Sequence, residues 1–165
     1  LDEQVQSQWA QVQNVYQRRA DLIPNLVNTV KGAANFEKET LTQVIEARAK
    51  ATSVNVDPDK LTPENIEKFQ SAQGQLSSAI GRLLMVTENY PQLKANANFQ
   101  ELQAQLEGTE NRITVERQKF NEVTQQYNSK IRTFPNNLTS GMFGFEKKGY
   151  YQAEAGSDKA PKVEF

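Results

Sequence analysis

Apolar residues recur three and four positions apart along most of this chain, a spacing that admits little besides long helices packed on one another. One stripe runs Phe99, Leu102, Leu106, Thr109, Ile113, Glu116 or Arg117, Phe120, Val123, Tyr127, Ile131 and Phe134. A shorter one joins Ile66, Phe69, Ala72 or Gln73, Leu76, Ile80, Leu83, Thr87 and Tyr90. The opening stripe is the longest: Val5, Trp9, Val12, Tyr16, Arg19, Ile23, Leu26, Val30, Ala33 or Ala34, Glu37, Leu41, Val44, Arg48 and Ala51. A strand would show strict alternation instead. The pattern predicts an all-α antiparallel bundle of three long helices, near 2–51, 63–89 and 98–132.

The opening stripe keeps its phase through Pro24, where a proline ring removes the bond to the Ala20 carbonyl and crowds it, at about 3 kcal/mol. Either one long helix kinks there, or Asp21 caps a new helix whose first turn holds the proline. The unbroken phase favours the kink. A straight helix over 2–51 would measure roughly 75 Å, against about 40 Å for the second helix. The part before Pro24 is therefore expected to overhang its neighbours or bend back as a fourth bundle element.

Other boundaries are marked by residue chemistry. Thr62 is a good N-cap, Pro63 fits the first helical position, Glu64 suits the first turn, and Leu61 with Ile66 can form a hydrophobic staple. Tyr90-Pro91 ends the second helix, because the residue before a proline is pushed out of helical space. A loop from Pro91 to Ala97 follows, after which Asn98 and Glu101 have capping-box spacing. Phe134-Pro135 closes the third helix. The remainder, 135–165, is punctuated by Gly141, Gly144, Gly149 and Gly156 and reads as loop-rich, with one short turn near Leu138–Phe143. Its Phe143, Phe145, Tyr150, Tyr151, Val163 and Phe165 carry too much apolar area for a solvated linker, so extended chain lying in a groove between helices is expected.

Function classes are narrowed by what is missing. The 165 residues contain no His and no Cys, the groups that most often perform acid/base, thiol and zinc chemistry. Serines therefore lack an imidazole base, and no glycine-rich phosphate loop follows a strand. A net charge of −1 with mixed signs offers nucleic acid no attraction. No run approaches the length of a membrane span. The sequence opens at Leu1 instead of Met, which leads us to expect an N-terminal piece, able to hold an anchor, that is not part of this chain.

The string Arg18-Arg19-Ala20-Asp21-Leu22-Ile23-Pro24-Asn25-Leu26-Val27 resembles the LemA family. So do Glu88-Asn89-Tyr90-Pro91-Gln92-Leu93-Lys94-Ala95-Asn96, Phe99 with Leu102, Thr109-Glu110-Asn111, Arg117, Phe120-Asn121, Tyr127-Asn128, Phe134-Pro135 and Pro161-Lys162-Val163-Glu164-Phe165. The resemblance covers nearly the whole chain as one domain. It implies a bacterial protein with a short N-terminal transmembrane segment, placing this part outside the cytoplasmic membrane as an up-and-down bundle of bromodomain-like topology. It carries no biochemical activity that could be transferred residue by residue.

Several charged residues fall on or beside the stripes: Glu88, Glu110, Arg48, Arg82 and Arg117. Facing carboxylates in a bundle can bind two metals, but the usual ligand set includes His. A buried Glu–Arg network that holds helix register is the better reading, with Glu110 and Arg117 pairing to Arg48 and Glu88. Arg18, Arg19 and Asp21 could meet a membrane surface, yet two arginines are too few for firm adsorption. Arg19 is expected to pair inside the bundle and Arg18 to be solvated. Trp9 and Tyr16 sit on the buried stripe and read as core, not as interfacial anchors. Gln4, Gln6, Gln8, Gln11, Gln13 and Gln17 read as an uncharged solvated face, with a coiled-coil face for a partner as the alternative. Asn137-Leu138-Thr139 matches the glycosylation pattern, a common chance match that we disregard.

No catalytic, cofactor-binding or metal-binding residue is therefore assigned, and no small-molecule substrate is evident. The function expected is a non-catalytic interaction or scaffold module in the bacterial envelope, with an unknown protein partner. The alternatives are a carboxylate-containing bundle that binds metal or another ligand, and a soluble coiled-coil assembly factor.

Overall fold

A computed structural model describes residues 2–132 together with Gly149. The described residues are all-α, in the order α1 Asp2–Lys31, α2 Lys38–Ser53, α3 Pro63–Thr87, α4 Pro91–Lys94 and α5 Ala97–Arg132. The expected second and third helices correspond to α3 and α5. Thr62 Oγ1 caps α3 by accepting from Asn65 N at 3.3 Å, with Leu61 and Ile66 buried beside it. The cap of α5 differs from expectation. Asn96 Oδ1, not the Asn98 side chain, accepts from Phe99 N at 3.1 Å, while Asn98 Nδ2 reaches Thr29 Oγ1 on α1 at 2.9 Å. The 91–97 loop also holds a single turn, α4, started by Pro91.

The long first helix is corrected more deeply. It passes through Pro24 and stops at Lys31, and the separate helix α2 begins at Lys38. Nothing in the apolar phase marks this break. Locally, Gly32 N and Ala33 N tighten the last turn by donating to the Thr29 and Val30 carbonyls at 3.2 and 3.0 Å. Asn35 then takes a φ of 61°, a left-handed conformation that Asn tolerates better than most residues. Phe36 is thereby delivered into the core against the Tyr90 ring, 4.8 Å between centroids, and Tyr90 Oη donates to the Asn35 carbonyl at 2.9 Å. The reason is burial: a straight continuation would carry Leu41, Val44 and Ala51 past the end of the bundle, whereas the turn buries all three.

Pro24 is exposed on the outer face of α1. Its missing N–H leaves the Ala20 carbonyl without its helical donor, and Arg48 Nε of α2 donates to that carbonyl at 2.8 Å. This contact crosses from α2 to α1. It gives one of the expected buried arginines a backbone partner instead of a carboxylate.

α1 and α5 run antiparallel along one another: Gln8, Arg19 and Thr29 meet Glu116, Glu110 and Asn98 in reverse order. α2 packs on α3 and on α1. The apolar interior falls into two clusters. One gathers Val5, Trp9, Val12, Tyr16, Leu61, Ile66, Phe69, Ile113 and Phe120. The other gathers Ile23, Leu26, Val30, Leu41, Val44, Leu76, Ile80, Leu83, Phe99 and Leu106. Trp9 and Tyr16 are core residues as expected, with Trp9 edge-on to Phe69 at 4.9 Å.

Candidate functional site

Between the two apolar clusters lies a polar layer, reached at the same level in three helices. Arg19 of α1, Gln73 and Ser77 of α3, and Glu110 of α5 each sit where one cluster gives way to the other. Arg19 is 1% exposed. Its Nη1 donates to Glu110 Oε1 at 2.8 Å and to Ser77 Oγ at 2.6 Å, and its Nη2 donates to the Gln73 carbonyl and Gln73 Oε1 at 3.0 and 2.9 Å. The guanidinium carbon also stands 5.1 Å from the centre of the Tyr16 ring, within cation–π range.

Arg19 reaches this place because the stripe of α1 points it inward at the position an aliphatic residue would fill. A buried guanidinium is costly unless its donors are taken, and a planar fork with several fixed donors suits simultaneous contact with three helices. The pair with Glu110 is buried on both sides. Such a pair adds little net stability, yet an unpaired member would be severely penalised. The layer therefore works as a register lock: sliding α1 against α3 or α5 by one turn would strand a charge in either apolar cluster.

The expected network is thus partly realised, with different partners. Glu110 pairs with Arg19, not with Arg48. Glu88 pairs at the surface with Lys94, and neither it nor Arg48 meets Arg117, which is half-buried on α5. Arg82 lies exposed, its Nη1 bridging α3 to α2 by donating to Gln43 Oε1 at 2.9 Å. Arg18 is exposed and Arg19 paired within the bundle, as expected. Gln73 and Ser77 were not singled out from the sequence. Their only signal was a polar residue at stripe spacing in α3, opposite Arg19 and Glu110. Among the described residues no group of three or more acidic side chains gathers to hold a metal.

The glutamine-rich face of α1 is mixed. Gln4, Gln11 and Gln17 are exposed, while Gln6, Gln8 and Gln13 are half-buried and bond to other parts of the chain. Gln8 Nε2 reaches Glu116 Oε2 at 2.7 Å, and Gln13 Nε2 shares the Val56 carbonyl with Trp9 Nε1. These glutamines fasten α1 to α5 and to the α2–α3 connection. Gly149 docks at the same end: its N donates to the Leu61 carbonyl at 3.1 Å, and a Cβ there would come within 2.8 Å of Pro63 Cα. Only a glycine permits that approach. The other expectations for the tail, its short turn, groove-lying extended chain and Asn137, lie outside the described residues.

Depressions open on the surface of the described residues, two of them beside α2 and α3. A broad groove of about 840 Å³ between α2 and α3 is lined by polar and small side chains, among them Gln43, Lys50, Glu67, Ser71, Gly74 and Arg82. A smaller pocket of about 230 Å³ lies between α1, the end of α2 and α3, and Gln73 of the polar layer lines it.

A family model described as the LemA family matches residues 8–165. The chain belongs to the LemA family. Among its relatives is a protein named Protein LemA from Metamycoplasma hominis, 27% identical over 150 residues, covering 91% of this chain and 65% of that protein. Two proteins of Paramagnetospirillum magneticum, named Magnetosome protein MamQ 1 and Magnetosome protein MamQ 2, are each 23% identical over 175 residues, covering 96% of this chain and 64% of their own length. The chain therefore spans a little under two thirds of the LemA and MamQ proteins it matches.

Proposed function

We propose that this LemA-family chain is the helical part of a bacterial membrane-associated protein that works by holding a protein partner, without catalysis. The observation that carries this reading is the polar layer, in which both terminal nitrogens of the buried Arg19 are taken by side chains and backbone of α3 and α5. Among the buried charged groups of the described residues, Arg19 and Glu110 are engaged with one another and with Gln73 and Ser77, and Glu116 accepts from Gln8. The polar groove along α2 and α3 remains for contact from outside.

Membrane association draws support from the LemA family and from relatives named magnetosome proteins. No helix among the described residues is long and apolar enough to cross a membrane. On the family resemblance, we assign the tether to sequence before α1 in the whole protein, and the bundle to the outer side of the cytoplasmic membrane. Fractionating cells that express the whole protein, followed by protease treatment of spheroplasts, tests this directly. The bundle should sediment with membranes and be cut from outside. Recovery in the soluble fraction, or protection until lysis, would overturn the placement. A photo-crosslinker at Ser71, in the groove, should trap a discrete adduct in cells; its absence, with adducts instead from α5 positions, would move the partner surface elsewhere.

A further inference from the structure

The apolar stripe of α1 continues in helical phase into α2, yet the chain leaves helical geometry between Lys31 and Lys38. No proline stands between Pro24 and Pro58 to forbid a continuous helix there. The turn itself is the constrained form. Asn35 holds a φ of 61°, which residues other than glycine adopt reluctantly. At Gly32 a Cβ would stand 3.2 Å from the Thr29 carbonyl oxygen, closer than ordinary van der Waals contact. In a continuous helix neither restriction applies, and Gly32 and Ala33 would exchange their tightened bonds to Thr29 and Val30 for full helical ones.

Within one chain the straight form fails, because it pulls α1 and α2 apart. A second copy removes that obstacle. If α1 and α2 run on as one helix, α1 leaves its own bundle, and its place beside α5 is open to α1 of the other copy. The contacts of α1 are then remade between chains: Arg19 with Glu110, Gln8 with Glu116, and the Ala20 carbonyl with Arg48. The losses are local. Phe36 gives up the Tyr90 ring, and Tyr90 Oη gives up the Asn35 carbonyl. Both gain and loss therefore fall on the 32–37 segment and the groups it touches, and concentration decides between the two forms.

We propose that this chain exchanges α1 with a second copy, through a continuous α1–α2 helix, to give a closed swapped dimer alongside the monomer. The two copies are related by a two-fold axis, so the exchange is complete at two chains. An axis at Ala34 puts the small Ala33 and Ala34 where the two long helices cross, and Lys31 of each chain level with Glu37 of the other. This inference goes beyond the interaction reading and does not depend on the membrane placement.

The test refolds the 165-residue chain at about 1 mM, separates monomer from dimer by size-exclusion chromatography with light scattering, and follows amide hydrogen exchange at residues 32–37 in each. In the dimer these amides should exchange as slowly as a helix interior. Gly32→Ala favours the helix about fivefold per hinge, and a dimer has two hinges, so its association constant should rise about 25-fold. Adding Asn35→Ala removes the residue that tolerates the left-handed turn and should raise it further. Asn35→Gly adopts the turn freely and weakens the helix, so it should lower the dimer yield while the monomer keeps its thermal midpoint. A dimer whose 32–37 amides exchange as they do in the monomer is a surface contact, and that result overturns the proposal. So does a double variant, Gly32→Ala with Asn35→Ala, that stays monomeric at about 1 mM. If the double variant does not fold, the unsubstituted chain and Asn35→Gly decide: no dimer from the former, or an equal yield from both, overturns the exchange.

Discussion

Glu110 and Glu88 are both glutamates paired with a cation, and they show how much environment decides what an ion pair is worth. The Glu110 side chain is 9% exposed and its partner Arg19 1%, whereas Glu88 and Lys94 are 49% and 41% exposed. Water and salt screen the surface pair, and ordering two long side chains offsets most of its attraction. Nothing screens the interior pair, so each member depends on the other for its solvation. Arg48 lies between these limits: half-buried, it is bonded not to a charge but to the carbonyl that Pro24 has orphaned.

The largest expected effect comes from breaking the interior pair on one side. Glu110→Ala should destabilise by about 3–5 kcal/mol in denaturant unfolding, because Arg19 is left charged and buried. A loss below about 1 kcal/mol would mean that water reaches Arg19, and the contrast with the surface pair would collapse. Removing both partners together is the sharper test. Arg19→Met with Glu110→Met should recover most of that loss, since a buried pair adds little over apolar packing of similar size. If the double variant is as unstable as the single, the hydrogen bonds to Gln73 and Ser77 carry the layer instead.

A smaller effect is expected at the Pro24 crossing. Arg48→Met should cost about 1–2 kcal/mol by leaving the Ala20 carbonyl without a donor. Pro24→Ala restores the helical N–H, so the cost of Arg48→Met should shrink in that background; an equal cost in both would show that Arg48 acts through packing alone. The smallest effect belongs to the surface. Glu88→Ala should change stability by under about 1 kcal/mol, and less still in 1 M salt, where the screening length falls to roughly 3 Å.

Legibility in the sequence followed the same division. Features that depend on neighbours within a turn were readable: Thr62 and Pro63 start α3, and the stripes selected Trp9, Tyr16, Phe69 and Phe120 for the interior. The helix break was not. Pro24 is the stronger local breaker, yet α1 continues through it because Arg48, far along the chain, supplies the missing donor. The Gly32–Asn35 segment is the weaker one, yet the chain turns there, where Tyr90 and Phe36 meet only after folding. The site divided likewise. Arg19 and Glu110 were readable as charges facing inward, but their pairing was not, and Gln73 and Ser77 carried no signal beyond register.

By itself, then, the sequence determined the helical class, most helix ends and the inward face of each helix, because period and capping act over a few residues. Tertiary structure alone decided where the first helix breaks, which cation meets Glu110 and which way the Gln73 carboxamide points. Those outcomes depend on donors and acceptors brought from distant parts of the chain into a space without water, where an unmatched group costs more than any local preference.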